Sequence, residues 1–197
     1  MSVLYNFEMI ALDAGVWLNP PLSSEISPEG FTVVSKENSD FWRVTSYGFI
    51  HHDGHALLNN FPQDSAIEIS WILDYDQQFD QAGLIAYHDE NNWIKAGIEF
   101  ADGSPQLGAV VTLGKSDWSV SPVADWMKKE VFLRFSRTGD ALTVRAKTDG
   151  DWRLVRLAPL DPNLEWRVGL FCASPTRAGL SILFKSLKWT APDHSLH

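Results

Sequence analysis

A chain of 197 residues with 45% hydrophobic and 21% charged residues is ordinary globular material, long enough to bury a sizeable core without disulfides or structural metal. Its 25 acidic against 16 basic residues give a formal net charge of −9, which argues against nucleic acid and anionic lipid as partners, since both reward clustered Lys and Arg. No apolar run approaches the ~20 residues that cross a bilayer, the single cysteine excludes an intramolecular disulfide, and the start MSVLYNFEMIALDAG lacks the basic and then apolar build of a secretory leader, so a cytoplasmic setting is expected.

Residues 4–12 are apolar but poorly patterned and lead into Trp17-Leu18-Asn19-Pro20-Pro21, which reads as an edge strand and a turn because the double proline forbids a ladder interior. A short β-branched strand follows at 31–35, broken by residues 36–40. Residues 41–61, FWRVTSYGFIHHDGHALLNNF, read as a hairpin turning at Asp53-Gly54, with His52 facing His55. In 65–74 the alternation places Ile67, Ile69, Trp71 and Leu73 on one face.

The most informative stretch is DQAGLIAYHDENNWIKAGIEF, residues 80–100, two strand patterns around the polar turn Asp89-Glu90-Asn91-Asn92. Symmetric closure of that turn predicts His88 opposite Trp93, Ala86 opposite Lys95, Leu84 opposite Gly97 and Ala82 opposite Glu99. Ile85, Tyr87, Ile94, Ala96, Ile98 and Phe100 then form the apolar face. Further strands are expected at 106–113, 118–123, 131–137, 142–147, 152–157, 167–174 and 179–189, with a frayed tail at 191–197. So many short alternating segments, with hardly one at helical period, predict a single all-β sandwich domain.

The strings FWRVTSYGFIHHDGH, QAGLIAYHDENNWIKAGIEF, VVTLGKSDWS and VGLFCASPTRAGLSILFKSLKW occur in an order and spacing that resembles the bacterial and fungal family of concanavalin-like proteins named after the fungal regulation-of-enolase protein. The resemblance covers about residues 17–189. It implies a concanavalin A-like jelly roll of two curved antiparallel sheets, and, by analogy with the lectins and laminin-G-like modules of that fold class, carbohydrate binding on the concave sheet. The glucanases of the class carry a Glu-x-Asp-x-x-Glu type of strand motif. Glu99-Phe100-Ala101-Asp102 has neither that spacing nor a second glutamate, so no catalytic residue is assigned.

The expected site comprises Trp93, Lys95 and Glu99 on one strand face, with Trp42, His52 and Trp118 around it. Indoles would stack on a sugar or ring while the ammonium and carboxylate fix hydroxyls, and substitution of Lys95 or Glu99 should leave the fold intact. The bland reading of the same residues is a cross-strand ion-pair network beside a partly buried tryptophan.

His51, His52 and His55 lack the further ligands of a zinc site, and Asp74, Asp76 and Asp80 lack the glycine and terminal glutamate of a calcium loop, so neither metal nor cofactor is expected. Cys172 reads as core. Arg134, Arg137 and Arg145 could clamp an anion, although solvated charge on an outer sheet is the commoner arrangement. These features together predict a non-catalytic ligand- or carbohydrate-binding protein with its site on the concave sheet, monomeric or weakly dimeric. A protein-interaction or regulatory module of carbohydrate metabolism is the alternative, and a glycan-active enzyme ranks third.

Overall fold

The computed structural model describes residues 10–196. Alternation and turn residues deliver strands β1 (Val16–Leu18), β2 (Ser23–Ser27), β3 (Gly30–Val34), β4 (Phe41–Arg43), β5 (Ile50–His52), β6 (His55–Asn60), β7 (Ser65–Ile72) and β8 (Gln81–Asp89). They continue as β9 (Asn92–Ala101), β10 (Ser104–Leu113), β11 (Ser116–Pro122), β12 (Glu130–Thr138), β13 (Ala141–Lys147), β14 (Arg153–Pro159), β15 (Arg167–Ala173) and β16 (Ser181–Thr190). Among the described residues the helical content is one short 3-10 turn, Ala124–Trp126.

Two seven-stranded antiparallel sheets form a sandwich of the jelly-roll type. The first runs β1-β6-β15-β8-β9-β10-β11 and the second β14-β13-β12-β7-β16-β3-β2. Between them lies one continuous apolar layer to which β7 contributes Ile67, Ile69 and Trp71, β12 contributes Val131, Leu133 and Phe135, and β9 contributes Ile94, Ala96 and Ile98. Cys172 belongs to this layer, and burial pushes its thiol up to about 12, so it carries no nucleophilic character.

The central hairpin departs from the symmetric register. Its turn is closed by the pair Asp89↔Asn92, and a bulge between Tyr87 and Asp89 inserts His88 as an extra residue. Tyr87 therefore opposes Trp93, Ile85 opposes Lys95, Gly83 opposes Gly97 and Gln81 opposes Glu99. Because strand side chains alternate, this one-residue slip moves Ile85 and Tyr87 onto the Lys95 face and sends Ala82, Leu84 and Ala86 into the core. The Asp89 side chain explains the tight turn: its Oδ1 accepts from the Asn91 backbone N–H at 2.8 Å and from Asn92 Nδ2 at 2.9 Å.

Residues 41–61 also fold differently from the expected hairpin. β5 pairs with β4 as a separate two-stranded flap, while β6 joins the first sheet between β1 and β15. Asp53-Gly54 is the corner between them, tied down where both backbone N–H groups donate to Asp40 O. Glycine is needed at this corner because a Cβ on Gly54 would lie 2.4 Å from the Phe41 ring. His52 and His55 consequently do not face each other. His55 is buried, its Nδ1 donating to Asn19 O at 2.9 Å while Nε2 accepts from the Lys36 N–H at 3.0 Å. Burial holds its pKa below the usual histidine value, in keeping with a neutral ring in that tautomer.

At the N-terminal end the expected edge segment at 4–12 lies partly outside the described residues, and the edge strand is β1, paired with β6. At the other end the described part of the tail, to Leu196, is tied down and not frayed. Asp193 accepts from Arg134 Nε at 2.9 Å and Arg145 Nε at 3.0 Å, and its backbone N–H donates to Ser136 Oγ at 2.7 Å. The two arginines do clamp an anion, and that anion is the chain's own carboxylate.

Candidate functional site

The flap lies on the outer face of the first sheet, where Phe41 is the plug of a second, smaller apolar cluster with Ile85, Tyr87, Trp93, Val110 and Phe171. The Phe41 ring sits 5.8 Å from Trp93 and 6.4 Å from Phe171. At its far side the flap is fastened to the β10–β11 turn, where the Arg43 N–H donates to Ser116 Oγ at 2.9 Å and Arg43 Nε to Gly114 O at 3.0 Å.

Between the flap, β9–β11 and the segments before β8 and after β15 opens a cleft of about 310 Å³. Its floor carries Asp40, Gln81, Lys95 and Glu99, and its walls carry Trp42, Tyr47, Phe49, Phe79 and Trp118. Beside this floor three glycines stand in register across β8, β9 and β10, Gly83↔Gly97 and Gly97↔Gly108. Only glycine fits there, since a Cβ on Gly97 would stand 2.0 Å from Ala82 O.

The floor chemistry is specific. Lys95 is buried and donates to Asp40 Oδ1 at 3.0 Å and to Gln81 Oε1 at 2.7 Å, while Gln81 Nε2 reaches the same Asp40 oxygen at 3.2 Å. Asp40 Oδ1 further accepts the Phe41 backbone N–H at 2.7 Å. Glu99, two residues beyond Gly97 on the same strand face and half-buried, has no hydrogen-bond partner among the described residues. Burial of its carboxyl, opposed by the Lys95 charge and reinforced by Asp40 and Asp102, raises its pKa to about 7.

On the walls, Trp42 and Trp118 meet at right angles with ring centroids 6.3 Å apart, and Trp42 Nε1 donates to Thr45 O at 3.0 Å. Tyr47 stacks on Phe49 at 5.2 Å and meets Trp42 edge-on at 5.6 Å. Trp118, 42% exposed, presents an open ring to the cleft.

Of the residues expected from sequence, Lys95, Glu99, Trp42 and Trp118 line this cleft. Trp93 does not: the bulge sets it opposite Tyr87, under Phe41, where it is 1% exposed and unable to stack on a ligand. His52 also stands behind the wall, its Nε2 3.1 Å from Tyr87 Oη and its ring edge-on to Phe41, and burial lowers its pKa. Lys95 is no free ligand donor but an internal bridge between flap and sheet.

Sequence reasoning missed Asp40, Tyr47, Phe49, Phe79 and Gln81. The alternation Tyr47, Phe49, His51, running from the β4–β5 turn into β5, was a usable signal for side chains turned toward one cleft, and the corrected register would have placed Gln81 beside Glu99. The aspartates once weighed as a calcium loop are dispersed: Asp80 is buried and bonded to Ser174 Oγ at 2.7 Å and to Arg177 Nε at 2.9 Å, whereas Asp74 and Asp76 are exposed. That ion pair holds the loop carrying Pro175 and Thr176 at the cleft rim.

A family model described as a protein of unknown function, DUF1349, matches residues 17–192. The chain belongs to that family. A DUF1349 relative by sequence is the Regulation of enolase protein 1 of Saccharomyces cerevisiae, 36% identical over 182 residues that make up 92% of this chain and 91% of that protein. This DUF1349 chain also superposes on the crystal structure of a functionally unknown protein from Saccharomyces cerevisiae with a TM-score of 0.87 and 34% identity, covering 93% of this chain and all of that one. A xylan beta-1,4-xylosidase from Bacillus halodurans shares the fold over 93% of this chain and 39% of its own, with a TM-score of 0.68 at 14% identity.

Proposed function

We propose that this protein is a non-catalytic binding module whose ligand is a small polyhydroxylated molecule, a carbohydrate in the first instance, held in the cleft between the flap and the first sheet. The observation that carries the reading is the joining of open aromatic faces to a hydrogen-bonding floor within one cleft of about 310 Å³. Sugars require that pairing, since their C–H faces stack on indoles while their hydroxyls need fixed polar partners. Binding without cleavage follows from the carboxyls. Glycoside hydrolysis uses one protonated acid and a second carboxylate free to act as base or nucleophile. Here Asp40 is already committed to Lys95, Gln81 and a backbone N–H, which leaves Glu99 without a catalytic partner.

Titration calorimetry against a panel of mono- and oligosaccharides tests the reading. Xylo-oligosaccharides belong in the panel because the xylosidase of shared fold is named for action on xylan. Binding is expected in the wild type and loss of at least tenfold in affinity on Trp118→Ala, the stacking platform, as base or sugar stacking contributes ~1–3 kcal/mol. Absence of binding across the panel, or binding indifferent to Trp118→Ala, would reject it.

A further inference from the structure

We infer that the cleft selects a sugar carrying a free, protonated amine, an amino sugar, over its neutral, N-acylated or phosphorylated counterparts. This rests on the cleft being a carbohydrate site and goes beyond it by naming the charge of the ligand.

The inference comes from what the floor has left to offer. Lys95 and His51 are the basic side chains lining the cleft. Lys95 is spent on Asp40 and Gln81, and His51 Nδ1 lies 3.7 Å from Asp53 Oδ1. An incoming phosphate or carboxylate would therefore find no unengaged cation and would face two carboxyl groups. Among the described residues the cleft carboxyl without a hydrogen-bond partner is Glu99, on the same strand face as Lys95 and Gly97. A neutral hydroxyl satisfies such a carboxyl weakly, whereas an ammonium does so with a charge-assisted bond of about twice the strength.

The walls agree with a cation. Trp42 and Trp118 present rings at right angles 6.3 Å apart, so that a pyranose face resting on one leaves a substituent near the other, and the negative face of an indole attracts an ammonium. An N-acetyl group would remove the charge, and with it both the charge-assisted bond to the ionised Glu99 carboxyl and the attraction of the indole faces. The raised pKa of Glu99 fits an acid awaiting a positive partner: at about 7, raised chiefly by burial, the carboxyl holds much of its proton just below neutral pH, and a bound ammonium, which favours the ionised form, would release it.

Calorimetry with glucosamine, glucose and N-acetylglucosamine decides the matter. Glucosamine is expected to bind about tenfold more tightly than the other two, and Glu99→Gln to bring it down to the level of glucose. At about pH 6.5 the heat of glucosamine binding should vary with the ionisation enthalpy of the buffer, reporting release of a proton, while the heat of glucose binding should not. Equal binding of the three sugars by the wild type, or an amine preference that survives Glu99→Gln, overturns the inference and leaves the carbohydrate site standing. Failure of every sugar to bind removes both.

Discussion

Replacing Glu99 by glutamine is expected to stabilise the protein, and only at neutral and alkaline pH. The carboxyl's pKa is raised from 4.5 to about 7 chiefly by burial, so the folded state binds the proton more tightly than the unfolded state. Below about pH 4.5 both states are protonated and the group is neutral to stability. Between there and pH 7 the unfolded chain ionises while the fold does not, and stability falls as pH rises. Above 7 the cost of ionising this half-buried carboxyl, which has no hydrogen-bond partner among the described residues, is fully present. The shift corresponds to ~3 kcal/mol at 1.36 kcal/mol per unit, and water entering the cleft reduces the expectation to about 2 kcal/mol. Glutamine keeps the shape and cannot ionise. Urea unfolding of both proteins at about pH 4.5 and about pH 8 should give similar stabilities at the first and an advantage of about 2 kcal/mol for Glu99→Gln at the second. A variant destabilised at both pH values would refute the reasoning, because it would mean that the carboxylate accepts structural hydrogen bonds that glutamine breaks.

Lys95→Ala should destabilise by about 3 kcal/mol at neutral pH, since it strips Asp40 of its buried counter-ion, and Asp40→Asn added to it should recover part of the loss in a double-mutant cycle read by urea unfolding. Gly97→Ala, whose Cβ would stand 2.0 Å from Ala82 O, is expected to lose ~3 kcal/mol or fail to fold, as measured by thermal melting. Trp118→Ala should cost about 1–2 kcal/mol of stability in thermal melting, its ring being 42% exposed and otherwise packed on Trp42. Asp193→Ala should release the tail from Arg134 and Arg145, seen as faster amide hydrogen exchange at 191–196 with a stability loss of about 1–2 kcal/mol.

The sandwich was legible because strand alternation is a local signal: Ile67, Ile69, Trp71 and Leu73 announce one buried face from their own spacing, and all four are fully buried. What the sequence did not yield depends on a single residue or on contacts between distant segments. His88 is one extra residue in β8, and nothing in YHDENNW says whether the turn takes four residues or two; the choice flipped the parity of the whole strand and put Trp93 under Phe41. In the same way Asp53-Gly54 has the composition of a hairpin turn, yet Asp40, thirteen residues earlier, captures both of its N–H groups and makes it a corner. Lys95 and Glu99 were found by spacing along one strand, which survives a register error, whereas Asp40 and Gln81 come from other elements. The asymmetry has a functional consequence. The residues that strand spacing singled out as a pair, Lys95 and Glu99, both line the cleft but differ because of partners it could not see: Asp40 and Gln81 engage Lys95, and Glu99 is left without a hydrogen-bond partner among the described residues.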